Sequence, residues 1–466
     1  MKSTGLFGAV ALLFCSAAPS FSCACGSTTP AAEADGGVAA DGGRRDGGFL
    51  DLDAGPRADG GDSGSAPDGW ASLDFPECPI EYATRPETVV GLTWTACPAS
   101  RNLPAGACRR IAFDTPGLDA SSGMFRPTGA SEDGGGVFLA LRRKYMNSLE
   151  FVASQLDGPV LGAVRTKQRN GCAPFSGGAL ANRFVVSVLD ASQTKSVVVR
   201  GISGKPVEVV ARYNTPRTLI PIKQGIGVYG GGLRLLDWET SAETTLVPGS
   251  SPAFTDLADL QDVHPRLYGL AGKPRYQIYE YSSGTPKLIV AAGRDVGEVG
   301  SYAASAERMF WSNITLDADR QAYSEDALYT QTLAPDGTLS GTRQRLPSPP
   351  RRRYVPGGAR FGCNVVARLY LDPRPLGAPT GTGTGGLEVF NFTTLKHWVI
   401  PTPTDSADPA SFIGIDTINA VTCTEIIASI NHFDPVSPQM QQNFARFDLS
   451  KLGPGEPFAM TPDPVP

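Results

Sequence analysis

The sequence is short of the residues and motifs from which local active sites are built. It holds only 3 histidines, His264, His397 and His432, none spaced near a cysteine, and no C-x-x-C pair, which removes the usual zinc spacings. There is no G-x-S-x-G elbow and no H-E-x-x-H. Gly204-Lys205 runs into Pro206, which lacks the magnesium-binding hydroxyl of a phosphate loop. Gly381, Gly383 and Gly386 match a dinucleotide spacing but follow Pro379 and lead into a strand pattern, so no helix N-terminus follows to hold a pyrophosphate. Apart from a short run near the start, no apolar stretch approaches the roughly 20 residues that a spanning helix needs. Helical periodicity is scarce, and charged residues make up only 19% of a chain carrying 54 Gly and 39 Pro. What remains is the composition of many short strands joined by turns.

The first segment has the layout of a cleaved signal over residues 1–24. Lys2 supplies the positive start, Leu6 to Phe14 the apolar run, and small residues lead to Ser22-Cys23-Ala24-Cys25-Gly26. Ala24-Cys25-Gly26 resembles a bacterial lipoprotein signal, which implies lipidation of Cys25, with Cys23 as the alternative. The departure is Ser22 or Ser20 where that family prefers Leu. Ordinary secretion with cleavage after Ala24 is the other reading. Gly26, where inner-membrane lipoproteins commonly carry Asp, points by resemblance to the outer membrane. Six cysteines then remain, Cys78, Cys97, Cys108, Cys172, Cys363 and Cys423. An even set in an exported chain leads to an expectation of three disulfides, with the first three cysteines pinning the N-terminal edge and the pairing left open.

Residues 25–69 form a low-complexity stretch in which Asp-Gly-Gly recurs. With almost no bulky apolar residue, it cannot bury enough surface to offset the entropy of ordering, and it is expected to be a solvated tether. As a Gly-rich coil it would span on the order of 35–40 Å. Its nine acidic residues against three basic ones hold more than the whole net charge of −5, so residues 70–466 are balanced. Neither the EF-hand nor the RTX spacing for calcium is met.

From Trp70 onward a hairpin recurs: an apolar or alternating strand, a polar turn residue with Ser or Thr behind it, and a return strand. The turn landmarks are Asn147, Asp190, Asp237, Glu280, Thr332, Asn391 and Asp448. Their spacing, a little over forty to nearly sixty residues, suits a four-stranded propeller blade of about 40–50 residues. The longer intervals contain insertions, Pro347 to Tyr354 and Leu376 to Gly386. The body resembles the TolB-like β-propellers, which implies an all-β fold of six or seven blades over residues 70–466. A pair of β-sandwiches is the alternative.

Candidate chemistry is sparse. Asp256, Asp259, Asp262 and His264 stand at spacings that would share one face of a helix, and Asp317, Asp319, Glu325 and Asp326 make a second acidic group. For both, solvated charge is the favoured reading. Arg351-Arg352-Arg353 and Arg142-Arg143-Lys144 are the basic runs; Trp94, Trp238, Trp311 and Trp398 are read as fillers between blades. No catalytic residue, metal site or cofactor is assigned, and export argues against nucleic acid. The expectation is a membrane-tethered binding or scaffolding module of the cell envelope, meeting an envelope protein or glycan. A glycan-acting hydrolase or lyase and a purely structural envelope protein are the alternatives. The anchor is directly testable: Cys25→Ser should move the protein from the membrane to the soluble fraction. Release by Cys23→Ser instead would shift the site, and retention after both would remove lipidation there.

Overall fold

In the computed structural model the described residues are 69–463, apart from 74, 76–77, 98–102, 113–115, 120–124, 134–135, 168–170, 252, 255–256, 258, 273–275, 283, 293–297, 318–321, 348–357, 372–384, 402–411 and 434–440. The signal, the anchor cysteines Cys23 and Cys25 and all but the last residue of the tether therefore lie outside them.

The described residues form seven antiparallel sheets. The innermost strands are Phe125–Asp133, Ala173–Leu180, Thr218–Ile222, Asp259–Val263, Glu298–Ala304, Ala359–Gly362 and Phe412–Val421. From each of the first six, three further strands follow outward in chain order, and most innermost strands pack against those of their neighbours. The ring closes between the last sheet and the first, where Phe412–Val421 and Gln441–Asp448 meet Phe125–Asp133. This is a β-propeller, and the sheets are its blades 1 to 7.

Seven hydrophobic clusters lie one in each seam between blades. Each blade thus buries both faces. In blade 2, Val186 and Val188 pack toward blade 1 while Val185 and Val198 pack toward blade 3. That is why Ser196–Ile202 is buried at every position and reads as a continuous apolar run, where one-sided burial predicts strict alternation.

The recurring turns are real, with a shift of phase. Asp237 follows the third strand of its blade and Glu280, Asn391 and Asp448 end theirs, whereas Asn147 and Asp190 follow the second. Near Thr332, which lies inside a strand, the turn acceptor is Asp336. Asp237 Oδ1 accepts from the backbone N–H of Glu239 and Thr240 at 2.9 and 2.7 Å. Asn391 Oδ1 does the same for Thr393 and Thr394, and Asp448 for Ser450.

Blade 7 is completed from the other end of the chain. Cys108–Ile111 pairs with Gln441–Asp448, and Trp94–Ala96 pairs with Cys108–Ile111 outside it. Trp70–Leu73 and Ile80–Ala83 extend blade 1. The C-terminal strands Glu456–Pro457 and Thr461–Pro462 extend blades 6 and 5. Three disulfides join Cys78 to Cys172, Cys97 to Cys108 and Cys363 to Cys423, with Cα separations of 6.1, 5.4 and 5.0 Å. Two of them hold the N-terminal strands, as expected. The third ties the turn after the first strand of blade 6 to the corresponding turn of blade 7. By the loop-entropy argument the bridges separated by 94 and 60 residues each restrict the unfolded chain by about 4–5 kcal/mol.

The turn carboxylates predict an acid limb to stability. Hydrogen bonds from Ser192, Thr240, Thr338 and Ser450 hold Asp190, Asp237, Asp336 and Asp448 below the ordinary aspartate value of 3.8. A carboxylate whose folded pKa is depressed adds stability above its unfolded pKa and loses it as pH falls through the folded value. The loss should therefore appear below about pH 4. Asp237→Ala should cost roughly 1 kcal/mol at neutral pH. Asp237→Asn, which keeps the acceptor, should cost less and make the acid limb shallower in urea titrations at pH 3 and pH 7.

Candidate functional site

A propeller offers two faces and an axial channel, and here the faces differ. On one, the turns between first and second strands run from 134–135 to 422–424 and hold two or three residues each. Those between third and fourth strands, from 156–159 to 392–395, hold four to six. On the other face, connections range from the two-residue turn 146–147 to the segments 249–258, 347–358, 372–384 and 402–411, each of ten or more residues. Both insertions noted in the sequence belong to this second face. Arg351, Arg352 and Arg353 fall in one of them, outside the described residues, as do Gly381 and Gly383.

The channel wall carries one built polar junction. Asp259, on the innermost strand of blade 4, meets Arg360, on that of blade 6, in a two-pronged ion pair of 2.7 and 2.9 Å. Gln261, two residues along and so on the same side of its strand, contacts Asp259 Oδ2, Tyr302 O and Ala359 O through Nε2. Its Oε1 accepts from Ala304 N at 3.1 Å. Three blades are joined there by one carboxamide and one ion pair. Asp259 is 8% and Arg360 22% exposed at the side chain. Burial works against the charge on Arg360, yet Asp259 outweighs it and holds the guanidinium above its ordinary pKa. Burial, followed by the Asp259 charge, pushes the hydroxyls of Tyr229 and Tyr302 well above their usual range. Tyr302 donates to Tyr268 O at 2.9 Å.

This corrects the helical reading of residues 256–264. Asp259–Val263 is a strand, so Asp259 and Asp262 do not share a face. Asp262 turns to the backbone N–H of Lys223 at 2.6 Å, His264 lies in a turn before Pro265, and Asp256 is outside the described residues. The second acidic group borders the turn between strands Arg308–Asp317 and Ala322–Leu333. Among the described residues no cluster has the makings of a metal site. Arg142-Arg143-Lys144 is not a patch. Arg142 donates to Pro174 O, Arg143 is buried against Glu150, and Lys144 pairs with Asp119.

The tryptophans fill seams. Trp238 is buried with Nε1 on Ile222 O at 2.8 Å, and Trp311 packs tilted against Tyr329 with ring centres 5.7 Å apart. Trp94 reaches Leu156 O across the closing seam. Trp398 donates to Gly453 O and lines an open cavity of about 380 Å³ with Lys396, Thr394 and Cys423.

The sequence reading missed the buried ion pairs inside blades: Arg143 with Glu150 and Arg368 with Glu388, the latter also 2.9 Å from His397 Nε2. A signal existed. Each charge interrupts an apolar strand, in VARLYL and GLEVF for the second pair, and such charges need partners. Asp259 and Arg360 stand 101 residues apart, and nothing local marks that pairing.

Arg360→Ala should strand Asp259 in the channel wall and cost about 3 kcal/mol. The double variant Asp259→Asn with Arg360→Ala should cost less than the sum of the single changes. Equilibrium unfolding of the four proteins measures that coupling.

No family model matches the sequence, and no curated protein is similar to it. Solved structures with similar architecture include the WD40 domain of SCAP from fission yeast, with 9% identity, a TM-score of 0.38, and 77% of this chain and 98% of that one covered. A puromycin-hydrolyzing peptidase of Mycobacterium tuberculosis matches at 12% identity and a TM-score of 0.30, with 74% and 55% covered. An ancestral GH74 enzyme matches at 10% and 0.33, with 73% and 52% covered. The chain spans about half the length of these two enzymes. At such distances the likenesses add no functional argument, and the sheets themselves establish the fold: the chain is a disulfide-bonded β-propeller.

Proposed function

We propose that this chain is a tethered binding module of the bacterial cell envelope that meets its ligand with the face bearing the long connections. The observation that carries the reading is the contrast between the faces. Long connections on a rigid scaffold are where recognition residues concentrate. The four of ten or more residues within and between the blades of the ring, 249–258, 347–358, 372–384 and 402–411, leave strand ends on one side. The eleven-residue 97–107, at the other end of blade 7, is pinned by Cys97–Cys108. The three disulfides suit an oxidising compartment outside the cytoplasm. The lipoprotein-like Ala24-Cys25-Gly26 supplies the anchor and residues 25–69 the reach. Asp259, a carboxylate of the channel wall, is held by Arg360, an arrangement suited to shaping a wall more than to moving a proton.

Photocrosslinking residues, introduced one at a time in the native envelope, test this reading. Positions 191 and 250 lie on the long-connection face, and positions 239 and 394 lie on the tight-turn face. Adducts should form at the first pair and be scarce at the second. Equal or reversed labelling would reject the assignment of the face. Separately, shortening 372–384 to a four-residue Gly-Ser turn should remove those adducts while leaving the thermal midpoint close to that of the parent, because the strands Val365–Leu371 and Gly385–Asn391 keep their full length.

A further inference from the structure

The three disulfides differ in exposure. Cys78 and Cys172 are fully buried, Cys108 is buried and Cys97 half-buried, whereas Cys363 and Cys423 are both exposed on the tight-turn face. Cys363 also occupies a backbone position that suits a cysteine poorly. It and Asn364 make the two-residue turn between Ala359–Gly362 and Val365–Leu371, with φ of 52° and 59°. Both places in such a turn favour Gly or Asn, and other side chains are strained there. The turn does not call for Cys363. Its bond to Cys423 does.

That bond is not what holds blades 6 and 7 together. Val365, Leu387 and Val389 of blade 6 pack with Ile418, Ile426 and Ala428 of blade 7, all buried in the shared seam. The bridge joins two turns at the end of a seam that is already packed, so it adds a restraint without completing a core. The open cavity of about 380 Å³ beside Trp398 reaches this bridge, with Cys423 in its wall. Lys396 brings a positive charge to the same wall, and no carboxylate lines it, so an incoming thiolate meets a favourable field. Exchange needs a thiolate with access to a sulfur, and exposed disulfides are the labile ones.

We propose that Cys363–Cys423 is an exchangeable clasp between blades 6 and 7, opened by a dithiol that attacks Cys423 from this cavity while the other two bridges stay closed. One thiolate of the dithiol bonds to Cys423 Sγ, the bond to Cys363 breaks, and its electron pair leaves on Cys363 Sγ, which takes a proton. The second thiolate then attacks the dithiol's own sulfur in that mixed bond, and Cys423 leaves as a thiolate. The dithiol ends oxidised to a disulfide, and the protein ends reduced by two electrons. The site lies on the tight-turn face and does not rest on what the long connections recognise.

Dithiothreitol added to the folded full chain, with iodoacetamide trapping and peptide mass spectrometry, tests it. Cys363 and Cys423 should be alkylated roughly tenfold faster, or more, than Cys78, Cys97, Cys108 and Cys172, with the far-UV spectrum unchanged. Glutathione, a monothiol, trapped early, should leave its adduct on Cys423. Thr394→Trp, which narrows the cavity from an exposed turn, and Lys396→Glu, which reverses its charge, should each slow opening severalfold. The double variant Cys363→Ser with Cys423→Ser should fold with the parent's spectrum, because the seam is packed without the bridge. Equal rates at all three bridges would overturn the proposal, as would an early adduct on Cys363 or parent-like opening in either cavity variant. A double variant unable to fold would make the bond a structural necessity and overturn it too.

Discussion

The fold depends on closing the ring. Every blade buries both faces, so no blade is complete without two neighbours, and a gap at any seam exposes two apolar surfaces at once. Blades 1 to 6 meet their successors through consecutive chain. Blade 7 meets blade 1 through its own inner strands and through residues 94–111, which travel back to supply its outer strands. At that seam Arg446, 4% exposed, bridges Glu425 of its own blade and Asp157 in a turn of blade 1. Trp94 and Asn443 add hydrogen bonds to Leu156 O and Ile111 O. Removing Arg446 would leave Glu425 with only the half-exposed Arg109, whereas Asp157 would return to water at little cost.

The termini and disulfides extend the same logic outward. The strand edge is the weak point of any sheet, and four of the seven blades have theirs covered by segments from the chain ends. The cover on blades 5 and 6 is anchored by Phe458, whose ring meets Phe390 edge-on at 5.4 Å, and by Arg343 with Asp463. The cover on blades 1 and 7 is anchored covalently, by Cys78–Cys172 and Cys97–Cys108. Cys78–Cys172 thus holds a strand distant in sequence, where loop closure is entropically costly, while Cys97–Cys108 closes an interval of 11 residues within the cover itself.

What could be read from the residues alone divides along the same line. The all-β class, the repeat length and the polar turn acceptors are local properties, and the landmarks Asp237, Asn391 and Asp448 mark turns after third strands. The phase of the hairpin was hidden because a blade contains three turns and Asp190 satisfies the same pattern one strand earlier. Residues 256–264 read as a helical face because i, i+3 spacing of aspartates has no strand counterpart. Leu260 and Gln261, which point to opposite sides of one strand, are what distinguish the two readings. Disulfide parity followed from counting, but the pairing of Cys363 with Cys423 required knowing that two equivalent turns of adjacent blades are neighbours. Asp259 with Arg360 was illegible for the same reason.

The tight face is already committed to structure, and this leaves the other face free to vary. Its turns are stitched to one another around the ring: Lys205 to Glu239, Gln224 to Pro265 O, Arg266 to Pro335 O, Cys363 to Cys423, and Arg446 to Asp157. Lengthening a two-residue turn there would shift strand register. A one-residue slip carries each side chain into the opposite seam, so a single insertion would disturb two hydrophobic clusters. Connections on the opposite face that pass from one blade's outer edge to the next blade's inner strand carry no such register constraint. They can lengthen at the slowly rising entropic cost of a flexible loop. Added length therefore accumulates on that face without opening the ring.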